Sequence, residues 1–251
     1  MELETTTHGG VSVATLLSEA ARDTSNPLLA ESDRISEFPL SYQFPPAYHE
    51  LDTMLRQIDQ GAIVIPEFQR DFEWNPADTR ELLLSVSRNY PAGSLLFLRH
   101  GTNAEGQLQT RLVEGVEVRP GHMVNPIYIV LDGQQRLTAL YQALYGMGRY
   151  RFVVSLRDLK RTGSLEDSII YVRAEDLGDR EDQFLNLYFP LSVLSGGQLD
   201  RVLDWLNQLA QYLEPDDESR RNRARQWLMD NLWKRIVETI FRYKFSCSRV
   251  A

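Results

Sequence analysis

Short apolar runs alternate with helically spaced apolar residues along most of the chain. Apolar residues recur at three- and four-residue intervals at Leu51, Met54, Leu55 and Ile58. This spacing is typical of a helix with one buried face. The run AIVIP, closed by Pro66, predicts a strand. Further strands are predicted at SLLFLR, PIYIVL, YRFVVSL and SIIYVRA, and further helices after the capping residue Asn75 and over LTALYQALYG.

The two ends of the chain differ from this body. Residues 1–41 are polar with a weak helical pattern, and we expect a mobile leader there. Residues 42–195 carry the alternating pattern and predict an α/β (α+β) domain, with a hairpin strand around Arg111 to Val118. From Leu199 onward the pattern is helical, so residues 196–251 are predicted to be a helical extension.

Composition narrows the class of protein. The chain has 251 residues, of which 43% are hydrophobic and 25% charged, and this length is enough to bury a core. A net charge of -8 argues against binding nucleic acid through a wholly basic surface, but leaves a local basic patch open. The single cysteine, Cys247, excludes an internal disulfide and fits a reducing cytosol. No apolar stretch approaches the roughly 20 residues of a membrane span, and the N-terminus lacks a signal-peptide pattern. We expect a cytoplasmic protein with no membrane partner.

Several common kinds of site are disfavoured by the sequence. The four histidines are scattered, and there is neither a CxxC pair nor a GxxxxGK[ST] loop. A structural zinc site and a Walker-type nucleoside triphosphatase are therefore not expected.

The stretch IVLDGQQRLTAL places polar residues between a predicted strand and a predicted helix. The first N–H groups of a helix lack partners within it and attract anions, and Gly133 permits a sharp turn. Arg136 can donate to phosphate oxygens, and the amides of Gln134 and Gln135 can donate or accept. Asp132 would repel phosphate unless a cation lay between them, which predicts a magnesium ligand or a base that orients water. The alternative is that Asp132 caps the helix and Arg136 is a solvated helix residue.

The stretch IPEFQRDFEW places a second Gln-Arg pair, Gln69 and Arg70, directly after a predicted strand. The aromatic residues beside this pair either stack on a base or anchor the loop to the core. Parallel strands bring their carboxyl ends to one edge of a sheet, where α/β proteins bind ligands. We therefore expect the two Gln-Arg pairs to converge.

Three segments in this order, IPEFQRDFEW, YPAGSLLFL and IVLDGQQRLTALYQALYG, together resemble the N-terminal domain of GmrSD-type modification-dependent restriction proteins. The resemblance covers about residues 51–192. It implies a ParB/sulfiredoxin-like mixed sheet with flanking helices. The family usually continues where this chain stops. Residue 251 is therefore expected to end either a truncated chain or a stand-alone subunit.

The resemblance also implies a site. It predicts nucleoside triphosphate binding, with GTP, CTP, UTP and ATP all open, and Mg²⁺ as cofactor held by Asp132. Asp132 and Arg136 are the implied catalytic residues. The implied nucleotide-binding residues are Gln69, Arg70, Asp132, Gly133, Gln134, Gln135, Arg136 and Thr138.

The partners implied by the family are modified DNA and a His-Asn-His nuclease domain or subunit that this chain does not contain. A homodimer is left open. The leading hypothesis is a triphosphate-hydrolysing module that gates DNA cleavage in an anti-phage restriction system. The alternatives are a non-hydrolysing nucleotide or DNA sensor, and a ParB-like nuclease in its own right. The absence of clustered acids or histidines counts against the nuclease. Two basic runs, 219–225 and 242–249, are interpreted as solvated faces, with DNA phosphate contact as the alternative.

Overall fold

A computed structural model describes residues 47–100, 108–117 and 125–250. The predicted mobile leader, residues 1–41, lies outside the described residues, as does the end of the predicted hairpin at Val118. The described strands are β1 Ala47–Glu50, β2 Ile63–Pro66, β3 Ser94–Arg99, β4 Thr110–Arg111, β5 Tyr128–Asp132, β6 Tyr150–Ser155, β7 Ile169–Arg173, β8 Tyr188–Pro190 and β9 Lys244–Val250.

Helices connect most of these strands. The α-helices are α1 Leu51–Asp59, α2 Pro76–Ser87, α3 Gln134–Tyr145, α4 Leu156–Thr162, α5 Leu165–Ser168, α6 Arg180–Asn186, α7 Leu199–Leu213, α8 Glu218–Leu228 and α9 Glu238–Arg242. A π-helical segment, Met229–Val237, joins α8 to α9, and short 3₁₀ turns span Ala174–Asp176 and Leu191–Gly197. Within the described ranges, no helix has the length and apolar character that crossing a membrane requires.

Six of the described strands form one mixed sheet in the order β1-β9-β3-β5-β2-β4. The neighbours β2 and β5 are parallel, with Ile63 opposite Tyr128 and Val64 opposite Ile129. Strand β3 pairs antiparallel with β5 on its other side. The mixed sheet that the resemblance implied is therefore present, and it contains β2, β3 and β5. Because β2 and β5 run the same way, the segments that follow them leave from the same edge.

Three other strands form a separate antiparallel sheet in the order β7-β6-β8. The apolar residues of both sheets and of the helices join in a buried core, which includes the fully buried Trp205 of α7 and Tyr141 of α3. The mixed α/β class predicted from the sequence is confirmed.

Helix α2 begins as the sequence predicts. The Asn75 side chain accepts from the backbone N–H groups of Ala77 and Asp78, and the Asp78 carboxylate accepts from the Asn75 N–H. This reciprocal arrangement is a capping box. The helix ends at Ser87, before Pro91 is reached, and Asn89 adopts a positive φ of 55° beyond it.

The C-terminal part differs from the prediction in one respect. It is helical as far as Arg242, but Lys244–Val250 is strand β9, which lies between β1 and β3. The side chains of Phe245 and Cys247, at alternate positions of β9, are buried in the core. The basic run 242–249 is therefore not simply a solvated face. All the described residues fall in one compact unit, 45–251, and the predicted boundary at 195/196 lies inside it.

Candidate functional site

The turn between β5 and α3 carries the polar residues predicted to bind anions. Asp132 is the last residue of β5, Gly133 precedes the helix with a φ of 92°, and α3 begins at Gln134. A Cβ at Gly133 would lie 2.3 Å from Leu95 Cδ2, so the turn needs glycine for space as well as for backbone conformation. Because the N-cap is Gly133, Asp132 does not cap the helix. Its carboxylate instead accepts from Arg136, at 3.2 Å.

The two predicted Gln-Arg pairs line one groove of about 450 Å³ at the carboxyl edge of β2 and β5. The lining residues are Phe68, Gln69, Arg70, Trp74 and the continuous segment from Leu131 to Arg136. The expected convergence of the two segments is thus confirmed. Contact of Arg70 and Arg136 with one phosphate chain stays a prediction.

The Gln69 amide holds the loop after β2 against the end of β5. Its Nε2 donates to the main-chain oxygens of Val130 and Leu131, each at 3.0 Å. Arg111 of β4 secures the same loop by donating to the main-chain oxygens of Gln69 and Arg70, at 3.1 and 3.2 Å. Gln69 therefore positions the groove wall through backbone contacts.

The two amides of α3 hold the opposite side of this loop. The Gln134 Nε2 donates to the main-chain oxygen of Arg70 at 2.9 Å. The Gln135 side chain bonds twice, donating to the oxygen of Asp71 at 2.8 Å and accepting from the N–H of Glu73 at 3.0 Å. Adjacent amides at the start of α3 thus join the two predicted motifs into one structure.

Arg136 is largely enclosed, since its side chain is 20% exposed. Its Nη1 donates to the main-chain oxygen of Ala92 at 3.0 Å, and its Nη2 to Asp132 at 3.2 Å. A Cβ at Gly93 would lie 2.2 Å from Nη1, so the turn before β3 leaves room for this guanidinium only because Gly93 has no side chain. A guanidinium has five N–H donors, so donors remain for a ligand in the groove.

Three groups of the groove are presented to solvent. The side chain of Asp132 is 68% exposed and that of Arg70 is 70% exposed, with the Arg70 guanidinium 3.5 Å from Glu73. Phe68 is 73% exposed. Two cationic side chains and one carboxylate therefore line the groove, together with the N-terminus of α3, whose dipole also favours anions.

The other predicted residues are placed differently. Thr138 is 1% exposed within α3 and does not line the groove. Its hydroxyl makes no hydrogen bond within the part of the chain that the structure describes. Of the three loop aromatics, Phe72 and Trp74 pack against the core while Phe68 does not. Phe72 and Trp74 therefore anchor the loop to the core, and each also lines a cavity beside it.

The groove residues fit Mg²⁺ only if a bound phosphate group supplies further ligands. Among residues 47–100, 108–117 and 125–250, no group of three or more His, Cys, Asp or Glu side chains could enclose a metal. Mg²⁺ in nucleotide sites needs few protein ligands, because it keeps several waters and binds one or two carboxylates together with phosphate oxygens. The exposed Asp132 carboxylate can supply such a ligand.

Sequence reasoning missed the residues that support the groove from outside the two motifs. Arg111 pairs with Asp71 at 3.1 Å in addition to its backbone contacts. Tyr243, beyond the helical tail, contacts the turn that Arg136 contacts: its hydroxyl accepts from the N–H of Ala92 at 2.9 Å. Neither contact has a sequence signal, since each joins residues that are distant along the chain.

The fold and the groove together define an α/β domain with a polar site at the carboxyl edge of two parallel strands. The family model described as "GmrSD restriction endonuclease, N-terminal domain" matches residues 51–246, and the chain belongs to this family. The match ends at residue 246 and so includes the start of β9.

The chain is also similar to the Methanocaldococcus jannaschii protein named "Uncharacterized protein MJ0686", with 36% identity over 95 residues. The match covers 37% of this chain and 16% of that protein, so the matched segment corresponds to a small part of that relative's length.

Proposed function

We propose that this domain binds a nucleoside triphosphate in the groove at Asp132–Arg136 and regulates a DNA nuclease carried elsewhere. The observation that carries this proposal is the convergence of Arg70, Arg136 and the N-terminus of α3 on one groove. Family membership adds the setting, since the family is the N-terminal domain of a restriction endonuclease.

The phosphate chain would lie along the N-terminus of α3, where the dipole and backbone N–H groups favour negative charge. Arg136 would contact it from its enclosed position, and the exposed Arg70 would close over it. Gln69, Gln134 and Gln135 would act by fixing the loop that carries Arg70, because their amides already bond to backbone groups. Thr138 has no direct part in this proposal.

Mg²⁺ would be held by Asp132 and supply charge neutralisation between the carboxylate and the phosphates. Hydrolysis would then use Asp132 and Arg136 as catalytic residues. A sensor that binds without hydrolysis is the second candidate, favoured by the single carboxylate in the groove. A nuclease activity of this domain is disfavoured, because the described residues hold no cluster of three potential metal ligands.

The wider assignment follows from the same proposal. We place the domain in an anti-phage, modification-dependent restriction system in the cytoplasm, with a sheet of the ParB/sulfiredoxin-like type. Its partners would be modified DNA and a His-Asn-His nuclease domain or subunit. A measurement of molecular mass in solution would show whether it also forms a homodimer.

The deciding experiment measures binding and phosphate release with each of the four triphosphates, with and without Mg²⁺ and DNA. Binding with release supports the hydrolysing module, and binding without release supports the sensor. If no triphosphate binds under any of these conditions, the proposed function is wrong.

A further inference from the structure

A second cavity of about 330 Å³ lies beside the groove. Four aromatic residues and two polar residues dominate its walls: Phe72, Trp74, Tyr150, Phe152, Glu114 and Gln142. Its volume falls at the lower end of the roughly 300–1,000 Å³ range of small-molecule sites, which are typically apolar with a few placed polar groups. We refer to it as the aromatic pocket.

The aromatic pocket adjoins the groove along helix α3. Gln135 lines the groove, while Ala139 and Gln142 line the pocket, and these residues are four and three positions apart on one face of the helix. At 1.5 Å per residue, Gln135 and Gln142 are separated by roughly 10 Å along the axis. Trp74 lines both cavities.

Two polar side chains of the aromatic pocket, Gln142 and Glu114, contact each other. The Gln142 Nε2 donates to the main-chain oxygen of Glu114 at 3.3 Å and approaches its carboxylate at 3.5 Å. The long second contact leaves most of the acceptor capacity of this exposed carboxylate open. The pocket also reaches Arg149, whose side chain makes no hydrogen bond or ion pair within the described ranges.

We propose that the aromatic pocket binds a nucleobase. Aromatic walls stack on flat heteroaromatic rings, and such stacking is insensitive to which base is present. A base also carries N–H donors on its edge, which the acceptor-only carboxylate of Glu114 can bind, and ring or carbonyl acceptors that Gln142 and Arg149 can reach.

The base can come from two sources. It is either the base of the triphosphate bound in the groove, reaching past Trp74, or a base extruded from DNA, as enzymes that read single bases require. In the first case the inference rests on the proposed nucleotide binding. In the second it stands independently of it. The occupant has the same ring chemistry in both cases.

The aromatic pocket and the groove share the loop after β2. A ligand bound in one cavity should therefore affect the other. Phe72 lines the pocket, and its two neighbours Asp71 and Glu73 are the residues whose backbone Gln135 holds. A ring packed against Phe72 would therefore restrain the segment that carries Arg70 into the groove.

The test uses the full chain and four proteins: native, Glu114→Ala, Phe68→Ala and the control Glu117→Ala. Glu117 is exposed, follows Glu114 in the same segment and does not line the pocket. The ligands are inorganic triphosphate, the four nucleoside triphosphates, and a DNA duplex carrying one extrahelical base beside the same duplex without it. Dissociation constants are measured by calorimetry with Mg²⁺ present.

If the nucleotide base occupies the pocket, native protein binds at least one nucleoside triphosphate more tightly than inorganic triphosphate. Glu114→Ala then weakens binding of that nucleoside triphosphate about tenfold and leaves the affinity for inorganic triphosphate unchanged. If a DNA base occupies it, Glu114→Ala weakens binding of the duplex with the extrahelical base by a similar factor, and not of its matched duplex. Glu117→Ala alters neither.

Two results overturn the inference. One is that Glu114→Ala changes no affinity. The other is that substitution of Phe68, which lines the groove, removes the affinity gained from the base while Glu114→Ala does not. Failure of the proposed function looks different, because the native protein then binds neither inorganic triphosphate nor any nucleoside triphosphate. The DNA arm still decides the inference in that case.

Discussion

The guanidinium of Arg136 donates to the main-chain oxygen of Ala92 at 3.0 Å, and so joins the start of α3 to the turn before β3. The N–H of the same residue, Ala92, donates to the Tyr243 hydroxyl, which in turn donates to the main-chain oxygen of Tyr90 at 2.8 Å. The arginine proposed to contact phosphate therefore also supports the wall of its own site.

Arg136→Ala should lower both nucleotide affinity and stability. It removes a charge-assisted phosphate contact worth about 1.5–3 kcal/mol, so affinity should fall about tenfold or more with or without Mg²⁺. It also removes the donor to Ala92, which should lower the melting temperature. Arg242→Ala is the matched control, since Arg242 pairs with Glu238 at the same i,i+4 spacing but on the helical tail. An unchanged affinity for Arg136→Ala would make this arginine purely structural.

Asp132→Ala should weaken binding mainly when Mg²⁺ is present. The carboxylate is expected to hold the cation, and without a cation its loss relieves repulsion of the phosphates, so affinity in a chelator should be unchanged or higher. Its exposed pair with Arg136 should contribute at most about 1 kcal/mol to stability. Affinities of native and variant protein with Mg²⁺ and with chelator give the answer. Equal losses in both conditions would contradict a metal role.

Gln135→Ala should release the loop that carries Arg70. The variant loses one bond to Asp71 and one to Glu73, and the free energy of unfolding should fall by about 1–2 kcal/mol. Hydrogen exchange at the Glu73 amide should accelerate. Gln135→Glu is informative because it keeps an acceptor for Glu73 but no donor for Asp71, so Glu73 should stay protected. As a control, Gln226→Ala removes an amide that bonds only within the helical tail, to Asp230. Slow exchange at Glu73 in Gln135→Ala would show that other contacts fix the loop.

Alkaline stability should depend on Cys247. Burial raises the pKa of this thiol from 9.0 to about 11, so the unfolded chain loses the proton first as the pH rises. The stabilising contribution is complete below pH 9.0 and is lost towards pH 11, at up to about 1.4 kcal/mol per pH unit. Urea unfolding from pH 8 to pH 11 should show a steeper decline for native protein than for Cys247→Ala. Parallel curves would show that the thiol titrates alike in both states.

The parts of the fold that the sequence predicted are those set by local pattern. The strand Ser94–Arg99 coincides with the apolar run SLLFLR, and the cap at Asn75 follows from its own side chain. The strand β9 also has a local signal, since Tyr243, Phe245 and Cys247 are buried at alternating positions. Its basic residues obscured that alternation, which led to the prediction of a solvated face.

The candidate groove was predictable in location, but the contacts of each residue in it were not. Two Gln-Arg pairs at the ends of parallel strands had to meet, because the sheet brings those ends together. The amides were expected to face phosphate, yet Gln69 and Gln135 bond to backbone groups across the groove. Residue type tells what a side chain can bond to, while only the packed loops determine which partner is nearest.

The position of β9 limits how early the sheet of this domain can fold during synthesis. The last of the described strands occupies an inner position of the sheet, and its Arg249 contacts His49, 200 residues earlier in the chain. During synthesis β1 and β3 emerge long before the strand that must separate them, so they cannot take their final places until synthesis has reached that strand. Pairings of such separation make folding slow and leave strand edges open meanwhile. A ribosome that stalls before residue 244 would therefore hold a domain with both motifs of the groove already made and no completed sheet to align them.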